Sequence, residues 1–396
     1  MKDILINFDK DQVDVINCLK DICIRDSIKA YLVGGTLRDL ILARKINDID
    51  ICLNEDPKKL VRYIKGIKEY KYYDKFQTAS LIFDNGISLN LIRCRKEIYE
   101  QNGQLPIIIP SDIYDDLYRR DFTINAIAYD IVKNSIIDVF GGIDDLYNGE
   151  LKKVHENSYE EDPTRIFRGI RYSVRYYLKI CDAAEIKKCI ENGVFNTVNS
   201  DKIVGELYAM CREEKWISNF VTCSWLKIFD LNLNYLGIPN IVKSYSYNNI
   251  NIRILNLFFC MKCFKFKQIL MENSILDKRL KKSMKYYYNN KMTELFYKDM
   301  DNYEIYKRLN NLDKYLLVLM GWDEGTKYRI LNYVKNLKDI KLNMDNEYLK
   351  SIGIQDDKVI GKILDYMLKI KLDVGIVNET KYLIENLGEI KDVFKY

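Results

Sequence analysis

Two rhythms of apolar and polar positions divide this sequence. Over the first 150 residues the apolar positions come in short alternating runs broken by turn residues. Ala79-Ser80-Leu81-Ile82-Phe83 and Ile87-Ser88-Leu89-Asn90-Leu91-Ile92 both alternate, and Asp84-Asn85-Gly86 between them predicts a β-hairpin. Tyr31-Leu32-Val33 predicts a strand running into Gly34-Gly35, and residues 60–67, after Pro57, predict a short helix. Beyond about residue 150 glycine thins out and apolar residues recur at helical spacing, as in Ile203, Leu207, Met210 and in Ile360, Ile363, Leu364, Met367. Of five prolines the last is Pro239, so none interrupts the helices predicted after it. The fold class expected is α+β. An N-terminal head (1–150) with a small twisted sheet and helices precedes an elongated all-helical region, divided near 215 and 290.

Composition narrows the function. With 48% hydrophobic and 30% charged residues, the 396-residue chain reads as an ordinary folded protein. No apolar run approaches the roughly 20 residues that cross a bilayer. The N-terminus, beginning Met1-Lys2-Asp3-Ile4-Leu5, lacks the apolar h-region of a signal peptide because acidic residues recur through its first turns, so a cytoplasmic location is expected. Ten cysteines without a framework spacing suit reduced thiols, and Cys260 and Cys263, with no partner pair, read as packing. The single histidine, His155, argues against His-dependent nucleophilic catalysis and against a multi-histidine metal site. A working metal would be held by oxygen ligands, which points to Mg²⁺ or Mn²⁺.

The densest chemistry lies in residues 31–53. Glycines at a strand-to-helix junction let a triphosphate approach backbone N–H groups, and a helix N-terminus favours its charge. Arg38, one turn into the helix after Gly34-Gly35, would grip phosphate oxygens. In Asp48-Ile49-Asp50, a strand places both carboxylates on one face and Ile49 on the other. Two carboxylates so placed can hold one or two divalent cations against a nucleotide.

These residues carry a resemblance. Gly34-Gly35-x-x-Arg38-Asp39 with Asp48-x-Asp50 resembles the signature of the class II tRNA nucleotidyltransferases and bacterial poly(A) polymerases. So do Leu117-Tyr118-Arg119-Arg120-Asp121-Phe122-Thr123-Ile124-Asn125-Ala126, Gly141-Gly142-Ile143-Asp144-Asp145-Leu146 and Glu161-Asp162-Pro163-Thr164-Arg165-Ile166-Phe167-Arg168-Gly169-Ile170-Arg171. The resemblance implies a catalytic head, a neck (151–215) that selects the nucleotide, and a body (216–290) and tail (291–396) that bind tRNA. It further implies Asp48 and Asp50 as catalytic Mg²⁺ ligands, CTP and ATP as substrates, and template-independent CCA addition to the tRNA 3′ end. CC-only, A-only or poly(A) addition is the sibling reading, and a catalytically silent RNA-binding protein the reading from another class. Asp74-Lys75-Phe76-Gln77-Thr78-Ala79 looks more like the tRNA enzymes than the poly(A) polymerases. One position departs: where the family often carries a third acidic residue, ahead of Arg95-x-Glu97-x-Tyr99, this sequence has Asn90.

On a helix starting at Pro163, Ile166, Ile170 and Val174 share one arc, and Arg165, Arg168 and Arg171 fall opposite. Three arginines together call for an anion between them: a triphosphate, a base edge or an RNA backbone. Asp162 is either the N-cap of this helix or, as the resemblance implies, partner to Arg165 in reading the donor–acceptor edge that C and A share. Arg119 and Arg120, placed at a strand or turn entry, read as nucleotide-binding residues or as a surface ion-pair cluster, and Asp121 as a ribose acceptor. Asn125 and Asp39 read as supports, and His155 as structural. Finally, residues 262–291 carry nine basic against two acidic residues, with Phe264, Phe266 and Tyr286-Tyr287-Tyr288 interleaved. That segment suits RNA contact, or else is a solvated lysine face.

Overall fold

The structure, a computed structural model, describes residues 7–237, 250–290 and 300–394. The segment Met1-Lys2-Asp3-Ile4-Leu5, Pro239 and Lys291 lie outside the described residues. The chain forms two compact units, Met1–Phe229 and Asp230–Tyr396.

In the first unit the strands are β1 (Ala30–Val33), β2 (Asp48–Leu53), β3 (Ile67–Tyr73), β4 (Thr78–Phe83), β5 (Ser88–Arg93), β6 (Arg95–Ile98), β7 (Ile107–Pro110), β8 (Ala128–Asp130), β9 (Ser135–Ile137), β10 (Glu150–Leu151) and β11 (Lys179–Ile180). The helices are α1 (Lys10–Arg25), α2 (Gly34–Ile41), α3 (Lys58–Val61), α4 (Ile113–Tyr118), α5 (Gly142–Tyr147), α6 (Ser158–Glu161), α7 (Thr164–Tyr176), α8 (Ala183–Glu191), α9 (Ser200–Arg212) and α10 (Trp216–Trp225). Seven strands make one mixed sheet in the order β3-β4-β5-β2-β1-β8-β9, in which only β2 and β5 run parallel. The predicted hairpin is β4–β5, and its alternation buries Ala79, Leu81, Leu89 and Leu91. These join Ile49 and Ile51 of β2, Leu37 and Leu40 of α2, and Ile16 and Leu19 of α1 in one core. The sheet thus holds one apolar face against helices and leaves Asp48 and Asp50 on the other.

Two local expectations are corrected. The helix over 60–67 is only the single turn Lys58–Val61, and Ile67 opens β3. Of the strand or turn expected at Arg119 and Arg120 the structure has the turn, with Arg119 as the C-cap of α4. The neck segment is not wholly helical: α7 stops at Tyr177 with φ +58°, and the chain turns back so that β11 pairs in parallel with β10.

The second unit is helical in all its described elements except a single bridge between Leu231 and Met261. Its helices include α11 (Ile250–Cys260), α12 (Phe264–Glu272) and α13 (Lys278–Asn289), and the longest, Asp357–Val374, packs Ile360, Ile363 and Met367 into a core with Leu349 and Leu383. The expectation of uninterrupted helices does not hold. Without proline, the breaks are set by aspartates that cap new starts, among them Asp277, Asp301, Asp313, Asp345 and Asp356. Among the described residues no helix is long and apolar enough to cross a membrane. All ten cysteines are free thiols.

Candidate active site

Strand β1 leads without a loop into α2, so the first turn of α2 stands at the end of the central sheet. Gly34 opens it with φ +63°, and a Cβ there would sit 2.7 Å from Nη1 of Arg120. The left-handed backbone therefore favours glycine here, and a side chain would also have to displace the Arg120 guanidinium. Thr36 ties this turn to β2: its hydroxyl donates to the Asp48 carbonyl (3.0 Å) and accepts from the Asp50 amide (2.9 Å). Across the parallel β2–β5 pair Asn90 stands beside Asp50, donates its amide N–H to Asp50 Oδ1 (2.9 Å), and accepts from the Ser80 hydroxyl (2.8 Å). Burial pushes the Asp50 carboxyl above the usual carboxylate range, and Asp48 beside it adds to the push; the Asn90 hydrogen bond and the charge of Arg120 oppose it.

Above this face opens a cleft of about 410 Å³ lined by Gly34, Gly35, Asp50 and seven arginines against four carboxylates. Arg38 is almost wholly buried, and Asp39 accepts from its Nε (3.0 Å) while Asn125 Oδ1 accepts from its Nη1 (2.6 Å). Its Nη2 donates to the Tyr176 hydroxyl, which in turn donates to Asp39 Oδ1 (2.9 Å). Arg119 and Arg120 share one fully buried carboxylate, Asp116. Arg119 donates to its Oδ1 through Nε (3.0 Å) and Nη2 (2.7 Å), and Arg120 Nη2 donates to Oδ2 (2.8 Å). Burial alone would raise the Asp116 carboxyl, but the two guanidiniums hold it down at about 2. Asp121 is also buried. It accepts from Arg168 Nε (2.7 Å), from Asn125 (2.9 Å) and from the Phe122 amide (2.9 Å), so both its oxygens are engaged as an anchor within the protein.

Helix α7 does not present a bare arginine face. The anions between its arginines are supplied by the protein: Asp121 for Arg168, and Glu206 (2.8 Å) and Glu213 (3.3 Å) for Arg171. Arg165 is 4% exposed and Arg171 is mostly buried, leaving Arg168 the most open of the three. Asp162 Oδ1 accepts from the Thr164 amide (3.1 Å) and hydroxyl (2.6 Å) at the start of α7, whose N-cap is Pro163 rather than Asp162. Its other oxygen takes no hydrogen bond among the described residues, and the residue also lines the cleft.

The structure thus brings Gly34, Gly35, Arg38, Asp50, Arg119, Arg120, Asp121, Asp162, Arg165, Arg168 and Arg171 around one space. Asp48 lines an adjoining cavity of about 220 Å³ that shares Gly35 and Asp50 with it. Sequence reasoning missed Asp116, Tyr176 and Glu97, the last of which accepts from Arg95 (3.0 Å), Arg119 (3.3 Å) and Tyr99 (3.1 Å). For Asp116 a signal existed, since it lies three and four residues before the arginine pair at helical spacing.

Residues 30–152, which carry this glycine turn and both aspartates, match the family described as "Poly A polymerase head domain". Over this head the chain is similar to the class II tRNA nucleotidyltransferases and the bacterial poly(A) polymerases. The A-adding tRNA nucleotidyltransferase of Aquifex aeolicus is 26% identical over 369 residues, covering 83% of this chain and 43% of that protein. The CCA-adding enzyme of Ligilactobacillus salivarius is 25% identical over 407 residues, covering 91% of this chain and 93% of that protein. A solved CCA-adding enzyme in its apo form II superposes with a TM-score of 0.81 at 24% identity, over 98% of this chain and 97% of that one. Against the A-adding and CC-adding nucleotidyltransferases that it matches first, this chain spans about half their length.

Proposed function

We propose that the protein adds CCA to the 3′ end of tRNA without a nucleic-acid template, using CTP and then ATP and releasing pyrophosphate. The observation that carries the reading is a single cleft in which the glycine turn, Asp50, an arginine-rich wall and the Asp162–Arg165 pair converge. Seven arginines against four carboxylates make that cleft attractive to a triphosphate.

In this reading Arg38, Arg120 and Arg168 hold the triphosphate against the α2 turn, with Asp116 and Asp121 fixing the last two guanidiniums. Asp48 and Asp50 hold Mg²⁺; the donors are all oxygens, and a cation would offset the cost of burying the Asp50 carboxylate. Bound there, the metal supplies charge neutralisation at the phosphates and activation of the attacking RNA hydroxyl. Asn90 contributes neither charge nor a base; it orients Asp50. Asp162 and Arg165 read the base, a carboxylate accepting from the exocyclic amino group of C or A and a guanidinium donating to the ring acceptor. U and G present the reverse pattern. Residues 1–150 carry the transfer and 151–215 the nucleotide choice, with 216–290 and 291–396 binding tRNA. Of the basic segment, Lys262, Arg279 and Lys281 are engaged within the protein, by Asp230 (3.0 Å), Asp313 (2.8 Å) and the Asn273 carbonyl (2.6 Å). Tyr287 donates to Asp323. Exposed Lys278, Lys282 and Lys285, with Tyr286 and Tyr288 on the same helix α13, are left for RNA phosphates and stacking. A tRNA substrate would place the protein in the cytoplasm.

CC-only or A-only addition is the second reading, favoured by the A-adding and CC-adding relatives; coverage of more than nine-tenths of both chains supports the CCA reading. The deciding experiment supplies tRNAs ending before CCA, after C and after CC, with labelled CTP or ATP and Mg²⁺. C followed by A is expected. One nucleotide type alone would establish the second reading, and no incorporation in any combination would leave a silent RNA-binding protein. Asp50→Ala should abolish incorporation with tRNA binding nearly intact; residual transfer above about one per cent would sink the metal-ligand role.

A further inference from the structure

The only histidine of the chain lies against the one arginine to which base reading is assigned. Nη1 of Arg165 is 3.2 Å from Nε2 of His155 and donates to the buried Ser158 hydroxyl at 2.7 Å; Nη2 donates to the Arg119 carbonyl at 2.8 Å. A guanidinium has five N–H donors and no acceptor, so Nε2 of His155 must carry a lone pair and the ring proton must sit on Nδ1. Three donors are spent on protein acceptors, and Nε–H and one Nη2 hydrogen remain. The imidazole is itself fixed, its side chain 7% exposed and its ring stacked on Tyr118 with centroids 5.0 Å apart. Burial, together with the charges of Arg165 and Lys153, lowers the imidazole to about 4, consistent with a neutral acceptor; Glu161, 3.5 Å away, is the carboxylate facing it.

We infer that His155 and Ser158 are positioning residues for nucleotide choice: with the Arg119 carbonyl they hold the Arg165 guanidinium so that its two remaining N–H groups meet a base in one orientation. The inference rests on the base-reading role proposed for Arg165. An arginine released from these acceptors regains several rotamers and can re-aim its donors at the acceptor of the wrong base. The clamp also joins α7 to the end of α4, because the third acceptor belongs to Arg119, whose side chain lines the same cleft.

Two substitutions separate acceptor from packing. His155→Phe keeps a ring to stack on Tyr118 and removes the acceptor; His155→Gln removes the ring and restores an acceptor near the Nε2 position. In single-nucleotide incorporation by the full chain, H155F should raise KM for CTP and ATP about tenfold and lower discrimination against UTP by a similar factor, the worth of one hydrogen bond to a charged group. H155Q should return both to within about threefold of wild type, well under that loss. Where H155F melts early, Ser158→Ala carries the same expectation with no ring removed. Unchanged selectivity in both H155F and S158A, or equal loss in H155Q and H155F, overturns the inference. Arg165→Ala is the reference. If it leaves UTP fully excluded, the base-reading role itself is wrong; if it relaxes choice while H155F and S158A do not, only the positioning role falls.

Discussion

Replacing Asp116 by asparagine keeps the shape of the side chain and removes the one charge that faces both Arg119 and Arg120. Its carboxylate is fully buried and takes three hydrogen bonds of 2.7–3.0 Å from the two guanidiniums. An asparagine offers one acceptor oxygen in place of two, takes from Arg120 its ion-pair partner and leaves Arg119 with Glu97 alone. Breaking a buried ion pair by removing one partner costs about 3–5 kcal/mol. The lowering of this carboxyl from 3.8 to about 2 gives a second measure, on the order of 2–3 kcal/mol of differential interaction. The two bracket a loss that would lower the melting temperature of a unit this size by roughly 5–20 °C. Because the folded carboxyl lies below its unfolded value, this stability is fully present above about pH 4 and is lost as pH falls towards 2. Wild type and D116N should therefore converge in acid. Thermal and urea unfolding of the full chain, with hydrogen exchange read on the segment from Ile113 to Asn125, measures the loss where it arises. A variant within about 1 kcal/mol of wild type at pH 7 would refute the view that Asp116 holds the arginine pair.

Two further predictions concern the frame of the cleft. Tyr176→Phe removes the hydroxyl between Arg38 and Asp39 and should cost about 1–3 kcal/mol in urea denaturation, with a higher KM for both nucleotides; unchanged stability and KM would show that α7 does not orient Arg38. Gly142→Ala would place a methyl 2.1 Å from the Thr123 carbonyl oxygen and 2.7 Å from its carbon, backbone atoms with no rotamer to change. The overpacking should cost about 1–3 kcal/mol or more, and a melting temperature within about 2 °C of wild type would refute it.

What the sequence disclosed follows the range of each signal. Alternation with period two is local, so the β4–β5 hairpin and the common face of Asp48 and Asp50 were legible, and the register then put Asn90 beside Asp50. The helical wheel placed Arg165, Arg168 and Arg171 together correctly. It could not tell a cation facing solvent from one facing a carboxylate of another element, so Glu206 and Glu213 were invisible to it. Tyr176 was missed because its partner Arg38 is 138 positions away, and no local pattern marks such a pair. The helix over 60–67 failed where local apolar spacing misled: the turn ends at Val61, and Ile67, counted with it, belongs to β3.

The distribution of these ties bears on how one cleft would handle the two nucleotides proposed for it. Helix α7 carries Arg165, the residue proposed to read the base, yet Arg168 is fastened to Asp121, Tyr176 to Arg38 and Asp39, and Arg165 to the backbone of Arg119. Those partners lie on α2 and just after α4, the two segments to which the proposal gives the phosphate side of the cleft. A shift of α7 to suit a different base would therefore move Arg38 and Arg168 as well, because buried, hydrogen-bonded guanidiniums do not slide independently of their anchors. Base choice and triphosphate grip are in this sense one property, measured from two ends. Substitutions at the ties, such as Tyr176→Phe and Arg165→Ala, should accordingly prove non-additive in a double-mutant cycle on KM, whereas either combined with a change on the far surface of the sheet should add.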